Sequence, residues 1–526
     1  VWATAVLVVS ASACKRGGTI TEEDAGLSPR ASGTPEFDAG VQVDAGPELD
    51  SGVQFDAGVE FDAGTDLDAG VELDAGTEPD AGLVLDAGLI FDAGVVDAGV
   101  VDAGVATGPL IYPGNRTHSP IDAALAQNLR LIASRGTGNR AVFAKIGDSI
   151  STATSGGAGG GQFLNCFDGT LNGPNSWDIT VRLGAYGSLQ GTLDFFRQVR
   201  FGTDDSWSRP SLATRVGAFA NWATAGNPSP MDREIAALNP RYAVVMFGSN
   251  DIGAWSLPYP LADQLEQYEG HMRAIATELL AQGVVPLFTT MPPDNDPRWL
   301  RFTPAYAGVV RAIAQGRQVP LIDYQRELRA LGPPYGLGND GTHPTCAAWN
   351  GCCWLDATSL RHGYNVRNLI TLQALDRMVQ IFERNVNSID SQAERLRGDG
   401  TPANPFVVND VPFAELRRLS TSTARGSGTI TCGAQTVSVT GPQVTYRLTV
   451  PRAMNVRITL LDDGARAHRM SITNGTTCTR TATRLMTLTL PAGTSYLQVN
   501  TTNGNTGSTV DYNLSITECM AGDPDC

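Results

Sequence analysis

The sequence predicts an α/β fold, a parallel sheet with helices on both faces, followed by a β-sandwich and preceded by a disordered acidic linker. Three observations carry this. Short apolar runs alternate with helical stretches through the middle of the chain, the pattern of strands joined by helical crossovers. From about Asn404 the pattern changes to apolar–polar alternation broken by turn residues. Between Phe37 and Asp102 an Asp-Ala-Gly unit recurs with few apolar residues per repeat. At 526 residues the chain is long enough for two or three separate cores.

Residues 1–14, "VWATAVLVVSASAC", form an apolar run that ends in small residues before Cys14. The run is too short to span a membrane and has the character of a signal peptide. Its first residue is Val1, so a start upstream with a basic segment is expected. The ending resembles the lipobox of bacterial lipoproteins, with Ala11 where that motif usually has Leu. That resemblance implies lipidation of Cys14 and attachment to a membrane; plain secretion is the alternative.

Residues 15–108 form the linker. Asp-Ala-Gly, once Asp-Ser-Gly, returns every six residues to Asp92 and then every five at Asp97 and Asp102. A parallel β-helix would fit the six-residue period. It would also stack an aspartate ladder without countercharge, and Pro79 and the slip at Asp97 would break its coils. An extended spacer is the better reading. Eighteen acidic residues and no Lys or Arg lie between Glu36 and Asp102, so a net charge of −16 leaves the remainder near +2. No basic stripe interleaved with aromatics is visible, and nucleic acid is not expected as a partner.

Residues 109–398 read as the α/β domain. "IDAALAQNLRLIASR" and "PLADQLEQYEGHMRAIATELLAQ" have helical spacing, whereas "AVFAKIG", "RYAVVMFG", "VVPLFTTM" and "VPLIDY" read as buried strands. In a parallel sheet, functional loops gather at the carboxyl ends of the strands. The first strand ends in Gly147-Asp148-Ser149, and "RYAVVMFG" leads into Gly248-Ser249-Asn250-Asp251. Of five histidines, His343 stands in the Gly/Pro-rich loop "GNDGTHPT", three residues after Asp340. In that spacing Asp340 can hold the imidazole Nδ1–H while Nε2 faces a serine hydroxyl. His362, with Asp356 as its carboxylate, is the rival. His118 precedes the sheet, His271 lies mid-helix and His468 falls in the β-rich region.

These three motifs, each at a strand end and in this order, resemble the SGNH/GDSL hydrolases over residues ~140 to ~385. The resemblance implies a flavodoxin-like sheet and a serine esterase without metal or cofactor. It casts Ser149 as nucleophile and oxyanion donor through its own N–H, and Asn250 as a side-chain oxyanion donor. His343 becomes the general base and Asp340 its orienting acid. A glycine N–H is the family's third donor; Gly217, in "SLATRVGAFANW", is chosen over Gly184 and Gly187. Asp148, Gly248 and Asp251 are assigned to supporting the loops. The Gly-rich "GGAGGGQ" after Ser149 lacks the Lys-Ser/Thr ending of a phosphate loop and reads as an active-site rim.

Nine cysteines are present; with Cys14 lipidated, eight remain, an even number suited to disulfides in an oxidising compartment. Cys346, Cys352 and Cys353 are poorly spaced for zinc, and the pairing is left open. Residues 399–526 alternate as "TYRLTV", "NVRITLL", "MTLTLP", "SYLQVN" and "DYNLSIT", a series that resembles the bacterial pre-peptidase C-terminal β-sandwich. The combined expectation is an extracytoplasmic esterase acting on small-molecule or polysaccharide acyl esters, acetyl groups first, and anchored at Cys14. Trp255, Tyr259, Trp299, Tyr335 and Trp354 are candidates for stacking on sugar rings. The alternatives are a catalytically silent glycan-binding or adhesion lipoprotein, or a lipase or acyltransferase using the same residues. Oligomeric state is left open.

Overall fold

Four strands build the central sheet in a computed structural model: β1 (Asn139–Gly147), β2 (Pro240–Met246), β3 (Val285–Thr289) and β4 (Leu321–Ile322), all parallel and in that order. The structure describes residues 108–526 except 153–162, 169–180, 253–259, 349–350, 502–509 and positions 423, 427, 463 and 476. The candidate lipidation site Cys14, the repeat segment and the "GGAGGGQ" stretch lie outside the described residues. β1, β2 and β3 are buried along nearly their whole length, which is why they read as continuous apolar runs. Single bridges extend both edges: Thr214 lies parallel beside Gly147, and His118 lies antiparallel beside Ile322.

Along the chain the helices are α1 (Ala123–Ala133), α2 (Gln190–Phe196), α3 (Ala220–Ala223), α4 (Pro230–Leu238), α5 (Leu261–Ala281), α6 (Pro297–Leu300), α7 (Thr303–Gly316), α8 (Tyr324–Ala330) and α9 (Gly363–Phe382). Side-chain caps start several of them. Asp122 accepts from Leu125 N–H to open α1, and Ser229 and Asp232 form a capping box on α4 with Pro230 in the first turn. One helix layer is joined where Thr192 of α2 bonds to Asp376 of α9 at 2.6 Å and Arg130 of α1 reaches the Ile381 carbonyl at 3.0 Å. In the other, α5 meets α7 through the rings of Tyr268 and Tyr306, 4.9 Å apart.

The C-terminal strands are β5 (Phe406–Val408), β6 (Phe413–Arg418), β7 (Arg425–Gly426), β8 (Thr429–Cys432), β9 (Gln435–Ser438), β10 (Gly441–Val450), β11 (Met454–Leu461), β12 (His468–Thr473), β13 (Cys478–Ala482), β14 (Leu485–Leu490), β15 (Gly493–Thr501) and β16 (Asp511–Glu518). One sheet runs β5-β10-β15-β12-β13-β8-β9, with β7 pairing β10; the other runs β14-β11-β16-β6. Residues such as Tyr446, Leu448, Val456, Ile458, Leu497 and Leu514 fill a second core between them. All the described residues fall within one compact unit, Asp86–Cys526.

Helix α7 joins the two cores. Its residues from Thr303 to Gln315 are buried, so it has no solvent face. Its outer side packs on β6 and β16, where a Cβ on Gly308 would lie 2.7 Å from Ser515 Oγ and one on Gly316 2.4 Å from Leu416 Cβ. Asn513 Nδ2 donates to the Val309 carbonyl at 3.2 Å. Glu266 of α5 accepts the N–H groups of Asp462 and Gly464, each at 2.8 Å. Eight cysteines pair as Cys166–Cys353, Cys346–Cys352, Cys432–Cys478 and Cys519–Cys526. Among the described residues no helix is long and apolar enough to cross a membrane.

Candidate active site

β1 delivers Ser149. The strand ends at Gly147, where a Cβ would lie 2.4 Å from Ser151 Oγ and 2.5 Å from the Met246 carbonyl, so the chain can turn back over this position only as glycine. Asp148 Oδ1 accepts from Ile150 N–H at 3.0 Å and caps a single 3-10 turn, Ser149–Ser151. Ser149 is thus the first residue of a turn set against the carboxyl edge of the sheet. Burial pushes the Asp148 carboxyl up to about 6, against the pull of the Arg367 charge.

His343 comes from a closed loop. Leu337 and Pro344 form a bridge across it, Gly338 N–H donates to the His343 carbonyl at 2.8 Å, and Gly341 turns it at φ 78°. Asp340 Oδ1 accepts the N–H groups of Thr342 and His343 at 3.0 and 2.9 Å, and Oδ2 meets His343 Nδ1 at 2.7 Å. On the far side of the ring, Nε2 lies 2.8 Å from Ser149 Oγ. Burial works to raise the Asp340 carboxyl, but the His343 and Thr342 N–H groups and the imidazole outweigh it and hold the carboxyl below its ordinary range. The loop after β3 supports this one from outside: Asn295 N–H donates to the Gly341 carbonyl at 2.9 Å and Thr342 Oγ1 to Asp294 at 3.1 Å.

β2 delivers the Gly248–Asp251 motif. Gly248 has φ 127°, and a Cβ there would meet Met291 Sδ at 2.8 Å and Tyr268 Oη at 3.2 Å. Glycine is therefore required here by both the backbone conformation and the side chains of Met291 and Tyr268. Asn250 Nδ2 donates to the Ala218 carbonyl at 3.0 Å, and Asp251 Oδ1 accepts Ala220 N–H at 3.1 Å. Both side chains clamp the turn that contains Gly217, whose φ is 73° and whose Cβ position faces open space. Gly217 lies three residues ahead of α3. Gly184 and Gly187, the glycines passed over, lie in a 3-10 segment over 184–189, with Gly184 beside the Leu355 carbonyl.

Residues 145–348 match the profile of the GDSL-like Lipase/Acylhydrolase family. The chain carries a GDSL-type hydrolase domain. It is a carboxylic ester hydrolase. An acetylxylan esterase from Geobacillus stearothermophilus is 19% identical, covering 45% of this chain and 95% of its own, with a TM-score of 0.28. A GDSL-like lipase from Bacteroides thetaiotaomicron is 13% identical over 48% of this chain and 98% of its own, TM-score 0.26. The pre-peptidase C-terminal domain of collagenase from Bacillus anthracis is 13% identical over 22% of this chain and 96% of its own, TM-score 0.16. No curated protein matches the sequence.

The other histidines of the α/β region lie elsewhere. His362 Nδ1 meets Thr345 Oγ1 at 3.0 Å, while Asp356, its supposed partner, caps the N–H groups of Thr358 and Ser359. His118 Nε2 bonds to the Ile370 carbonyl at 2.7 Å, and burial pushes it down to about 4. His271 and Asp251 both line a small cavity of about 210 Å³. Outside the GDSL domain, His468 pairs with Asp462 at 2.8 Å in the β-sandwich. One aromatic candidate is corrected: Tyr335 is buried in the core. Trp354 is half-buried, with Arg182 over one face at 3.9 Å. Trp299 is half-buried beside Arg298, and Trp255 and Tyr259 lie outside the described residues.

The sequence reading missed the polar residues of α9. Asn365 accepts Ala347 N–H and donates to the carbonyls of Gly351 and Trp354. Asn368 accepts Leu164 N–H at 3.0 Å and donates to the Cys352 carbonyl at 3.1 Å. Together with Cys166–Cys353 and Cys346–Cys352, they tie the loop beyond Ser149 to the loop beyond His343. An Asn-x-Arg-Asn cluster at Asn365, Arg367 and Asn368, in the first turns of α9, was the available sign.

Proposed function

We propose that this chain is an extracytoplasmic serine esterase that removes acyl groups, acetyl groups on carbohydrate first among them. Ser149 is its nucleophile, His343 its general base and then acid, and Asp340 the group that orients His343. The observation that carries the reading is the unbroken relay from Ser149 Oγ to His343 Nε2 at 2.8 Å and from Nδ1 to Asp340 at 2.7 Å. Ser149 Oγ attacks the ester carbonyl as its proton passes to Nε2. The ring, held by Asp340 at its other nitrogen, returns that proton to the leaving alcohol. Water activated by the same nitrogen then releases the acyl group from Ser149.

The tetrahedral oxyanion is held by Ser149 N–H, by the Asn250 N–H that does not go to Ala218, and by the Gly217 N–H. Four disulfides support placement in an oxidising compartment. Within this reading, Cys14 carries the lipid and the Asp-Ala-Gly repeat separates membrane from enzyme. The test is hydrolysis of p-nitrophenyl acetate, butyrate and octanoate and of acetylated xylan, comparing the full chain with its Ser149→Ala variant. Activity lost in the variant is expected, with acetate the best ester. An octanoate optimum would turn the reading to a lipase, and acylated alcohol in the products to a transferase. Inert wild type on every ester would overturn it.

A further inference from the structure

Arg367 lies on α9 behind the nucleophile turn and is wholly buried. A guanidinium out of water must have its charge answered and its donors used. Here it donates through Nη1 to the Ile150 carbonyl and through Nη2 to Ser151 Oγ at 2.8 Å, while its Nε has no partner among the described residues. Its Cζ lies 3.7 Å from the centroid of the Phe163 ring, and Asp148 is a nearby countercharge. The Phe163 loop is itself held to α9 by Asn368, one residue along the helix.

These contacts bear on one small element. Inside the turn, Ser151 N–H returns to the Asp148 carbonyl at 3.0 Å and Thr152 N–H to the Ser149 carbonyl at 3.3 Å. The Ile150 carbonyl, which points out of the turn, is taken by Arg367. Two donors from one rigid fork fix both the position of the turn and its rotation. Ser149 presents Oγ and N–H from that turn, so a rotation would move nucleophile and oxyanion donor together.

We infer that Arg367 is a positioning residue for the esterase reaction, holding the Ser149–Ser151 turn so that the Ser149 Oγ and N–H stay aimed at the ester carbonyl. The inference rests on the reading of Ser149 as nucleophile. It makes Arg367 matter to the chemical step more than to substrate binding, because misplacing reacting atoms by about 1 Å costs on the order of 10²-fold in rate. Lysine, a point charge on a flexible stem, can meet one acceptor but cannot reproduce the fork.

The experiment is steady-state hydrolysis of p-nitrophenyl acetate by the full chain carrying Arg367→Met, Arg367→Lys or Ser151→Ala, with wild type and Ser149→Ala alongside. Circular dichroism and thermal melts would establish that each variant is folded. For Arg367→Met, kcat is expected to fall about tenfold or more with KM within about twofold, the size of a lost positioning contact. Arg367→Lys should recover part of that loss, and Ser151→Ala, which removes one acceptor, should lose a fewfold in kcat alone. Wild-type kcat in folded Arg367→Met, or a change confined to KM, would overturn the inference. Should Arg367→Met not fold, Arg367→Lys and Ser151→Ala decide it by the same split. Wild-type activity that survives Ser149→Ala would instead remove the reading of Ser149, and this inference with it.

Discussion

Asp251 sits one residue beyond the proposed oxyanion donor Asn250, and its Oδ2 has no hydrogen-bond partner among the described residues. Burial strips its charged form of water and pushes the carboxyl up to about 7; Ala220 N–H opposes this and the Asp148 charge reinforces it. The unfolded chain releases this proton near 3.8, whereas the folded chain keeps it to about 7. Stability from this group is therefore fully present below pH 3.8 and is lost as pH rises through 7, by at most about 4 kcal/mol. Asp148, pushed up to about 6, acts in the same direction. Asp251→Asn keeps an oxygen for Ala220 N–H and removes the titration. Its Tm should fall less between pH 5 and pH 8 than that of the wild type, whatever the amide costs at a single pH. Equal falls would show that Asp251 is not charged at a cost in the native state. That Asp251 would support the loop was legible from its place beside Asn250; its titration was not, because the turn that closes on it, through Ala220 N–H, lies 31 residues earlier in the chain.

At the scale of elements, β1 to β3 could be read because a strand covered on both faces must be apolar throughout, and the Ser149 and Asn250 motifs because each follows such a strand directly; the Asp340–His343 motif, expected at a strand end, instead lies beyond α8, in a loop well past the two-residue β4. Other elements carried no comparable sign. The edge segments at Thr214 and His118 join the sheet by one bridge each, too little to leave a pattern. Lys145 interrupts an apolar strand as a solvent-facing residue would, yet it is buried and donates to the Trp207 carbonyl at 2.8 Å, and burial pushes it down to about 7. The strands β8, β9 and β13 are short and rich in Thr, and their Cys432–Cys478 link was not inferable from spacing. Helix α7 reads as an ordinary Ala-rich helix; its small residues exist because a second sheet approaches its outer side. Gly308→Val would drive side-chain atoms into Ser515 and should destabilise the protein by about 1–3 kcal/mol. Gly187→Ala, where a Cβ meets nothing within 4 Å, should stay within about 0.5 kcal/mol. Urea midpoints at constant m-value make the comparison, and an equal effect at the two positions would refute the close packing.

For the whole molecule, the consequence of α7 is that catalytic and β-sandwich cores are not separable. A module added only for binding would be expected to touch its enzyme through a polar, solvent-rich surface. Here the contact runs along a helix without a solvent face, and Glu266, Asn513 and Arg457 satisfy backbone groups or charges across it. Arg457 is itself buried, bonded to the Arg301 carbonyl at 3.0 Å and to Asp523 at 2.8 Å. Arg301 follows the loop after β3, and that loop supports the one bearing Asp340 and His343, so the sandwich is linked by packing to the relay. A chain ended at Gly398 would expose the apolar side of α7 and strand the carboxylate of Glu266. Such a chain should aggregate, or melt without a cooperative transition, and lose esterase activity. The intact chain should give a single calorimetric transition whose van't Hoff and calorimetric enthalpies agree. Two resolved transitions, or a soluble and active chain ended at Gly398, would mean that α7 can be covered by solvent after all and that the sandwich only rides on the enzyme.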